Sequence, residues 1–220
     1  MKMEQNNILV AENVTKEFGG VRAVKDVSFE IEQGCIAALI GPNGAGKTTL
    51  FNLISGVYVP NSGSIIFDGH ELRRKRQHRI TKMGISRTFQ IVRPFMKMTA
   101  LQNVMVGAMF GNNENIGRRE AEKRAVHQLK FVGLEEKKDD PSANLTLINR
   151  KMVEIAKALA CKPKLVLLDE PLSGLNPTEV EDAVSLISKI RDELGITVFW
   201  VEHVMDAVMS IADKIIVLKL

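Results

Sequence analysis

Cysteine is scarce in this chain. Its two cysteines, Cys35 and Cys161, lie far apart in apolar surroundings. They cannot form a disulfide framework, and a reducing compartment suits them best. Charge of one sign is not in excess either: 30 basic minus 26 acidic residues leave +4, too little to force a nucleic-acid reading. Long apolar runs are missing. Cys35 to Ile40 and Ile196 to Val201 fall far short of the roughly 18 residues that cross a membrane. The first ten residues, MKMEQNNILV, are polar where a signal peptide would be apolar. A soluble, cytoplasmic protein is expected. No internal repeat and no low-complexity linker interrupts it. What is present is ordinary: 45% hydrophobic and 25% charged residues over 220 positions, enough for a sizeable core without staples.

The first seventy residues read as strands and turns. Ile8 to Val10, Val27 to Ile31 and Cys35 to Ile40 are β-rich, and a hairpin is expected around Ser64 to Phe67. A short helix from Lys47 to Ser55 is closed by Gly56. From Glu71 to Asp140 the chain turns helical and charged, with a helix over Glu120 to Phe131 and a loop over 111–115. Such a patch between strand-rich segments suggests an inserted helical subdomain. Helical spacing returns at Met152 to Ala160, and Leu165 to Leu168 is a strand buried on both faces. A further helix carries Val180, Ala183, Val184, Ile187, Ile190 and Leu194 on one face, with Asn176 as cap, Pro177 in the first turn and Glu179 completing a capping box. Strands at Ile196 to Val201 and Lys214 to Leu218 follow. This alternation implies a parallel sheet with right-handed crossovers.

The strand Cys35 to Ile40 runs into Gly41, Pro42, Asn43, Gly44, Ala45, Gly46, Lys47, Thr48 and Thr49, a full match to G-x-x-x-x-G-K-[ST] in strand-to-helix context. Gly41, Gly44 and Gly46 let backbone N–H groups close around phosphate oxygens, and the helix amino end adds partial positive charge. Lys47 is expected to reach the β- and γ-phosphates, and the Thr48 hydroxyl to bind Mg²⁺. Asp169 and Glu170 end the buried strand, where ligands sit in parallel α/β sheets. Asp169 is expected to hold Mg²⁺ through water. Glu170 is expected to orient or deprotonate an attacking water.

The loop GPNGAGKTT, then SRTFQ at 86–90, LVLLDEP at 165–171 and Glu202-His203 after a strand together resemble the ATP-binding subunits of ABC transporters. The stretches MTALQNVMVG, DEPLSGLNPTEV and VEHVMDAVMSIADKIIVL look more specifically like the subunits of branched-chain amino-acid importers. The resemblance implies an α/β P-loop NTPase with a parallel-sheet ATP-binding core, an antiparallel β subdomain near the N-terminus and an inserted helical subdomain. The core is expected at 1–88 and 160–220, and the helical part at about 90–158. By resemblance, Phe18 would stack on adenine, and Gln90 would bind Mg²⁺ and sense the γ-phosphate. His203 would contact the γ-phosphate and hold the attacking water, and the loop 173–176 would cross the dimer. The same resemblance implies a second ATP-binding subunit, transmembrane permease subunits docking near Gln90 to Asn103, and indirectly a solute-binding protein. No nucleic-acid partner is expected. The chain would sit on the inner face of the membrane.

Two departures stand out. The family's Leu-Ser-Gly-Gly-Gln signature reads Leu145-Thr146-Leu147-Ile148-Asn149 here. Thr146 keeps a hydroxyl for the second subunit's nucleotide, but two branched side chains replace glycines and hinder close approach. The chain also stops at Leu220, where the family usually continues with a hairpin and a helix. Three alternatives therefore remain: an ABC-type ATPase of DNA repair or translation, a P-loop kinase, and a weakly hydrolysing regulatory subunit. The basic run Arg73, Arg74, Lys75, Arg76, His78, Arg79 holds no aromatic residue to stack on bases and reads as a solvated helix face. Met96, Met98, Met105 and Met109 suit either a partner helix or loose core packing.

Overall fold

The computed structural model describes residues 7–90 and 94–219. Strands β1 (Asn7–Phe18) and β2 (Val21–Glu32) form an antiparallel hairpin around Gly19 and Gly20, both at positive φ. They run well beyond the short β-rich stretches read from the sequence, because polar residues alternate along their exposed side. After β3 (Ile36–Ile40) and helix α1 (Lys47–Ile54), strand β4 (Ser62–Phe67) returns to pair with β1, and the two-residue β5 (His70–Glu71) closes the sheet in the order β2-β1-β4-β5.

Helix α2 (Gln77–Met83) leads to β6 (Ile85–Arg87), a strand hidden inside the segment expected to be helical. The rest of that segment carries α3 (Ala100–Phe110) and α4 (Arg118–Phe131). Helix α3 also escaped the sequence reading, although Thr99 and Gln102 form a full capping box at its start. The chain then runs through α5 (Leu147–Ala160), β7 (Leu165–Asp169), α6 (Pro177–Asp192), β8 (Thr197–Val201), α7 (Met205–Ile211) and β9 (Lys214–Val217). At α6, Asn176 and Glu179 exchange the two expected capping bonds, each 3.0 Å.

Strands β3, β6, β7, β8 and β9 form the expected parallel sheet, in the order β6-β7-β8-β3-β9. Its side chains alternate between two cores. Ala37, Leu39, Leu165, Leu167, Phe199 and Val201 face β1, β2, β4 and α1. Ile36, Ala38, Val166, Leu168, Val198 and Trp200 face the other way, into a core shared with α3 to α7. Leu165 to Leu168 are wholly buried. Each such side chain contributes about 1.5–3 kcal/mol.

Candidate active site

Four of the five parallel strands deliver a candidate site residue at or just past their carboxyl ends. β3 runs straight into Gly41, β7 ends at Asp169 and is followed by Glu170, β8 is followed by Glu202 and His203, and β6 continues to Gln90. Because β8 lies between β3 and β7, His203 emerges between the phosphate loop and the carboxylates.

The loop itself is tightly constrained. Gly41, Gly44 and Gly46 all have positive φ. A Cβ on Gly46 would stand 2.1 Å from the carbonyl oxygen of Ala23 in β2, and one on Gly41 would stand 2.4 Å from that of Leu218. These two glycines are therefore required by neighbouring backbone as well as by any phosphate. Lys47 is buried and folds back over the loop, with Nζ donating to the carbonyl oxygens of Gly41 (2.8 Å) and Pro42 (2.9 Å). Pro42, Asn43, Gly44 and Thr48 are exposed, while Ala45 is buried and Thr49 half-buried.

Glu170 lies between two polar side chains. Its Oε2 accepts from Gln90 Nε2 at 2.6 Å, and its Oε1 lies 3.0 Å from His203 Nε2. Its backbone is left-handed at φ 48°. A non-glycine residue held there costs about 1–3 kcal/mol, so the surroundings must impose it. Three residues expected to act together thus meet in one cluster.

Asp169 is 3% exposed and meets a residue the sequence reading missed. Arg87 Nη2 donates to Asp169 Oδ2 at 2.8 Å, while its Nη1 donates to Asn52 Oδ1 (2.7 Å) and Ser55 Oγ (2.9 Å) on and beside α1. Asp169 Oδ1 is buried and has no protein partner. A buried carboxylate oxygen normally has one, so this atom is available to a hydrated cation. Nothing local marks Arg87, since its neighbours Ser86 and Thr88 are both polar and its partners are distant in sequence.

Phe18 is 41% exposed and packs edge-on against Tyr58, with centroids 5.0 Å apart. Lys16 Nζ lies 5.0 Å from the Phe18 ring. The signature region departs from expectation. Helix α5 begins at Leu147, about one turn earlier than the sequence suggested, so Leu147 and Ile148 form its first turn. Thr146 is the N-cap, its hydroxyl accepting from Asn149 N at 3.4 Å. Branched side chains tolerate a helical turn that two glycines would not favour. Leu147 is 52% exposed.

The docking segment expected at 90–103 is divided. Residues 91–93 lie outside the described residues. Phe95 and Met96 are exposed, but Asn103 is fully buried. Its amide binds the backbone of Phe95, Met98 and Thr99 and the hydroxyl of Ser142, a structural role. Met105 and Met109 pack against the core, which favours the packing alternative for those two. In the basic run, Arg74, Lys75, Arg76, His78 and Arg79 are exposed as expected, but only His78 and Arg79 belong to a helix, α2, the residues before them forming the turn that leads into it. With Lys82, Met83 and Asn113 these five line a cavity of about 570 Å³. Among the described residues no helix is long and apolar enough to cross a membrane.

A glycine loop capping a parallel strand, and a carboxylate pair two strands away, define a P-loop nucleotide-binding protein. The family described as ABC transporter matches residues 24–173. The high-affinity branched-chain amino acid transport ATP-binding protein BraF of Pseudomonas aeruginosa is 40% identical, over 96% of this chain and 88% of that protein. LivG of Escherichia coli, of the same description, is 35% identical over the same shares. Among solved structures, an ABC-transporter ATP-binding cassette in its ADP conformation matches with a TM-score of 0.87 at 31% identity, covering 96% of this chain and 87% of that one. A dimeric cassette in a post-hydrolysis state with ADP and phosphate matches with a TM-score of 0.86 at 30% identity, covering 96% and 94%. The chain belongs to the ABC transporter family and is an ATP-binding, ATP-hydrolysing cassette. These relatives favour transport over DNA repair, translation or a regulatory role.

Proposed function

We propose that this cassette powers import of branched-chain amino acids through a transmembrane permease, working as a dimer on the inner face of the membrane. The substrate class rests on the description of BraF and LivG. The dimer rests on the likeness to the dimeric cassette. The chemistry rests on one observation: Glu170 is held by Gln90 and His203 at the strand ends beside the phosphate loop.

In this reading, phosphates lie against the loop 41–49, Lys47 leaves its two carbonyl partners for them, and the exposed face of Phe18 takes adenine. Magnesium, when bound, neutralises charge on the phosphates. The Thr48 hydroxyl, Gln90 and Asp169 Oδ1 would hold it, the last through water, and the orphaned Oδ1 fits that task. Glu170 takes the proton of the attacking water, while His203 orients that water and the carboxylate. Thr146, at the start of α5, faces the nucleotide of the second subunit. We read 90–158 as the helical subdomain and 1–88 with 160–220 as the core, a division supported by the mutual packing of α3, α4 and α5. The permease meets the exposed Phe89, Phe95 and Met96, and a solute-binding protein acts only through that permease.

Calorimetric titration of ATP into Lys47→Ala tests the loop. Binding should vanish; tight binding by the variant would refute the assignment.

A further inference from the structure

Two buried charges beside the 170–173 turn remain without a role. Lys151, in α5, is 8% exposed, and Glu202, after β8, is 2% exposed. They do not pair with each other. Both hold the backbone of the 170–173 turn, one through its carbonyls and the other through an amide.

Lys151 takes the carbonyls. Its Nζ donates to Ser173 O at 2.6 Å and Pro171 O at 2.9 Å, with Glu170 O at 3.5 Å. Burial pushes its pKa down, against the raising influence of Glu202 and Glu170. An ammonium removed from water needs this set of acceptors to remain there. Glu202 takes the amides. Its Oε1 accepts from Leu172 N at 2.9 Å, and its Oε2 accepts from His203 N (2.8 Å) and Val204 N (3.3 Å). One carboxylate therefore joins the turn that carries Glu170 to the turn that carries His203. Glu170 N adds a third tie, to Val201 O at 3.0 Å.

The turn needs such a grip, because Glu170 sits at φ 48° without being glycine. Released from either charge, the backbone gains extended and right-handed alternatives, and the carboxylate leaves the gap between Gln90 and His203. Lys151 lies in the second turn of α5, whose first residue, Leu147, also approaches Gly174 of the same loop.

We propose that Lys151 and Glu202 are positioning residues for hydrolysis: they clamp the 170–173 turn from its carbonyl and amide sides, and Lys151 makes the aim of Glu170 depend on the position of α5. The proposal rests on the reading of Glu170 as the group that activates water.

The test compares Lys151→Met, Lys151→Arg, Glu202→Gln and Glu170→Gln in the full chain, by calorimetric ATP binding, phosphate release and melting temperature. Lys151→Met should lose about tenfold or more in turnover while ATP affinity stays within about threefold, as expected for a misaimed catalytic group. Lys151→Arg, which still presents donors to the carbonyls, should recover most of that loss. Glu202→Gln should show the same split, and supplies the test alone if Lys151→Met does not fold. The double variant should fall little below the worse single variant, because both act on one turn. Wild-type turnover in Lys151→Met or Glu202→Gln would overturn the proposal. So would parallel loss of affinity, melting temperature and turnover without rescue by arginine. Glu170→Gln separates the two levels: if it is inert while Lys151→Met is unaffected, only the clamp fails; if it turns over normally, the reading of Glu170 fails and the clamp with it.

Discussion

Arg87 and Asp169 form an ion pair of 2.8 Å with both side chains almost wholly excluded from solvent. The pair ties edge strand β6 to β7, and through Asn52 and Ser55 it reaches the helix that follows the phosphate loop. It also selects which oxygen of Asp169 remains free.

Removing Arg87 would leave a buried carboxylate without its counter-charge. Such a change costs about 3–5 kcal/mol. At about 2–4 °C per kcal/mol for a chain of this size, Arg87→Ala should melt about 6–20 °C lower. Calorimetric scans of both proteins check this, and an unchanged melting temperature would contradict it. Arg87→Lys should fall between them, since one ammonium cannot reach Asp169, Asn52 and Ser55 together.

Gly46 tests whether the loop glycines serve packing or only the ligand. Gly46→Ala brings a methyl group to 2.1 Å from the Ala23 carbonyl, at φ 90°. Strand β2 would have to move. Destabilisation of about 3 kcal/mol or more is expected, with loss of nucleotide binding. Gly20→Ala is the control, since it has similar positive φ and nothing within 4 Å. It should cost only about 1–2 kcal/mol. Equal urea midpoints for the two variants would show that backbone strain alone is at work.

The two thiols give a pH-dependent readout. Burial pushes up the pKa of both, and Asp213 adds to the effect on Cys35. A raised pKa means less thiolate at a given pH, so the native chain should react slowly with a disulfide reagent at pH 7.5. Cys161, the more buried, should be slower than Cys35. Raising the pH should accelerate both, and unfolding should equalise them. Prompt reaction of both thiols in the native chain would contradict the burial.

Much of this architecture was legible because each signal was local. The loop 41–49, the apolar run 165–168 and the box around Asn176 each carry their structure in a few adjacent residues. The same holds for Glu170, Gln90 and His203, recognisable by motif before their mutual distances were known. What escaped was non-local. The strand β6 has three residues, too few for a period, and exists because β7 offers an edge. The roles of Arg87, Lys151 and Glu202 depend on partners 82, 20 and 30 positions away. A lysine in a helix reads as solvent-facing until the carbonyls around it are known. The early start of α5 was obscured by alignment to a glycine pair that this sequence has replaced.

The last prediction concerns His203. Its ring lies 3.0 Å from Glu170, but its backbone, not its ring, is what Glu202 holds. Truncating the ring therefore leaves the turn and the strand end anchored, and removes only the contact to Glu170 Oε1. The ring is 43% exposed, so little packing is lost. His203→Ala should keep its melting temperature and its ATP affinity, while turnover falls by about two orders of magnitude or more. Glu170→Gln should behave alike for a different reason: the amide keeps an oxygen for Gln90 but cannot accept the proton of water. If the two residues act on the same step, the double variant should be no slower than the slower single one. Multiplying losses would instead assign His203 a task independent of Glu170, and wild-type turnover in His203→Ala would remove it from the chemistry.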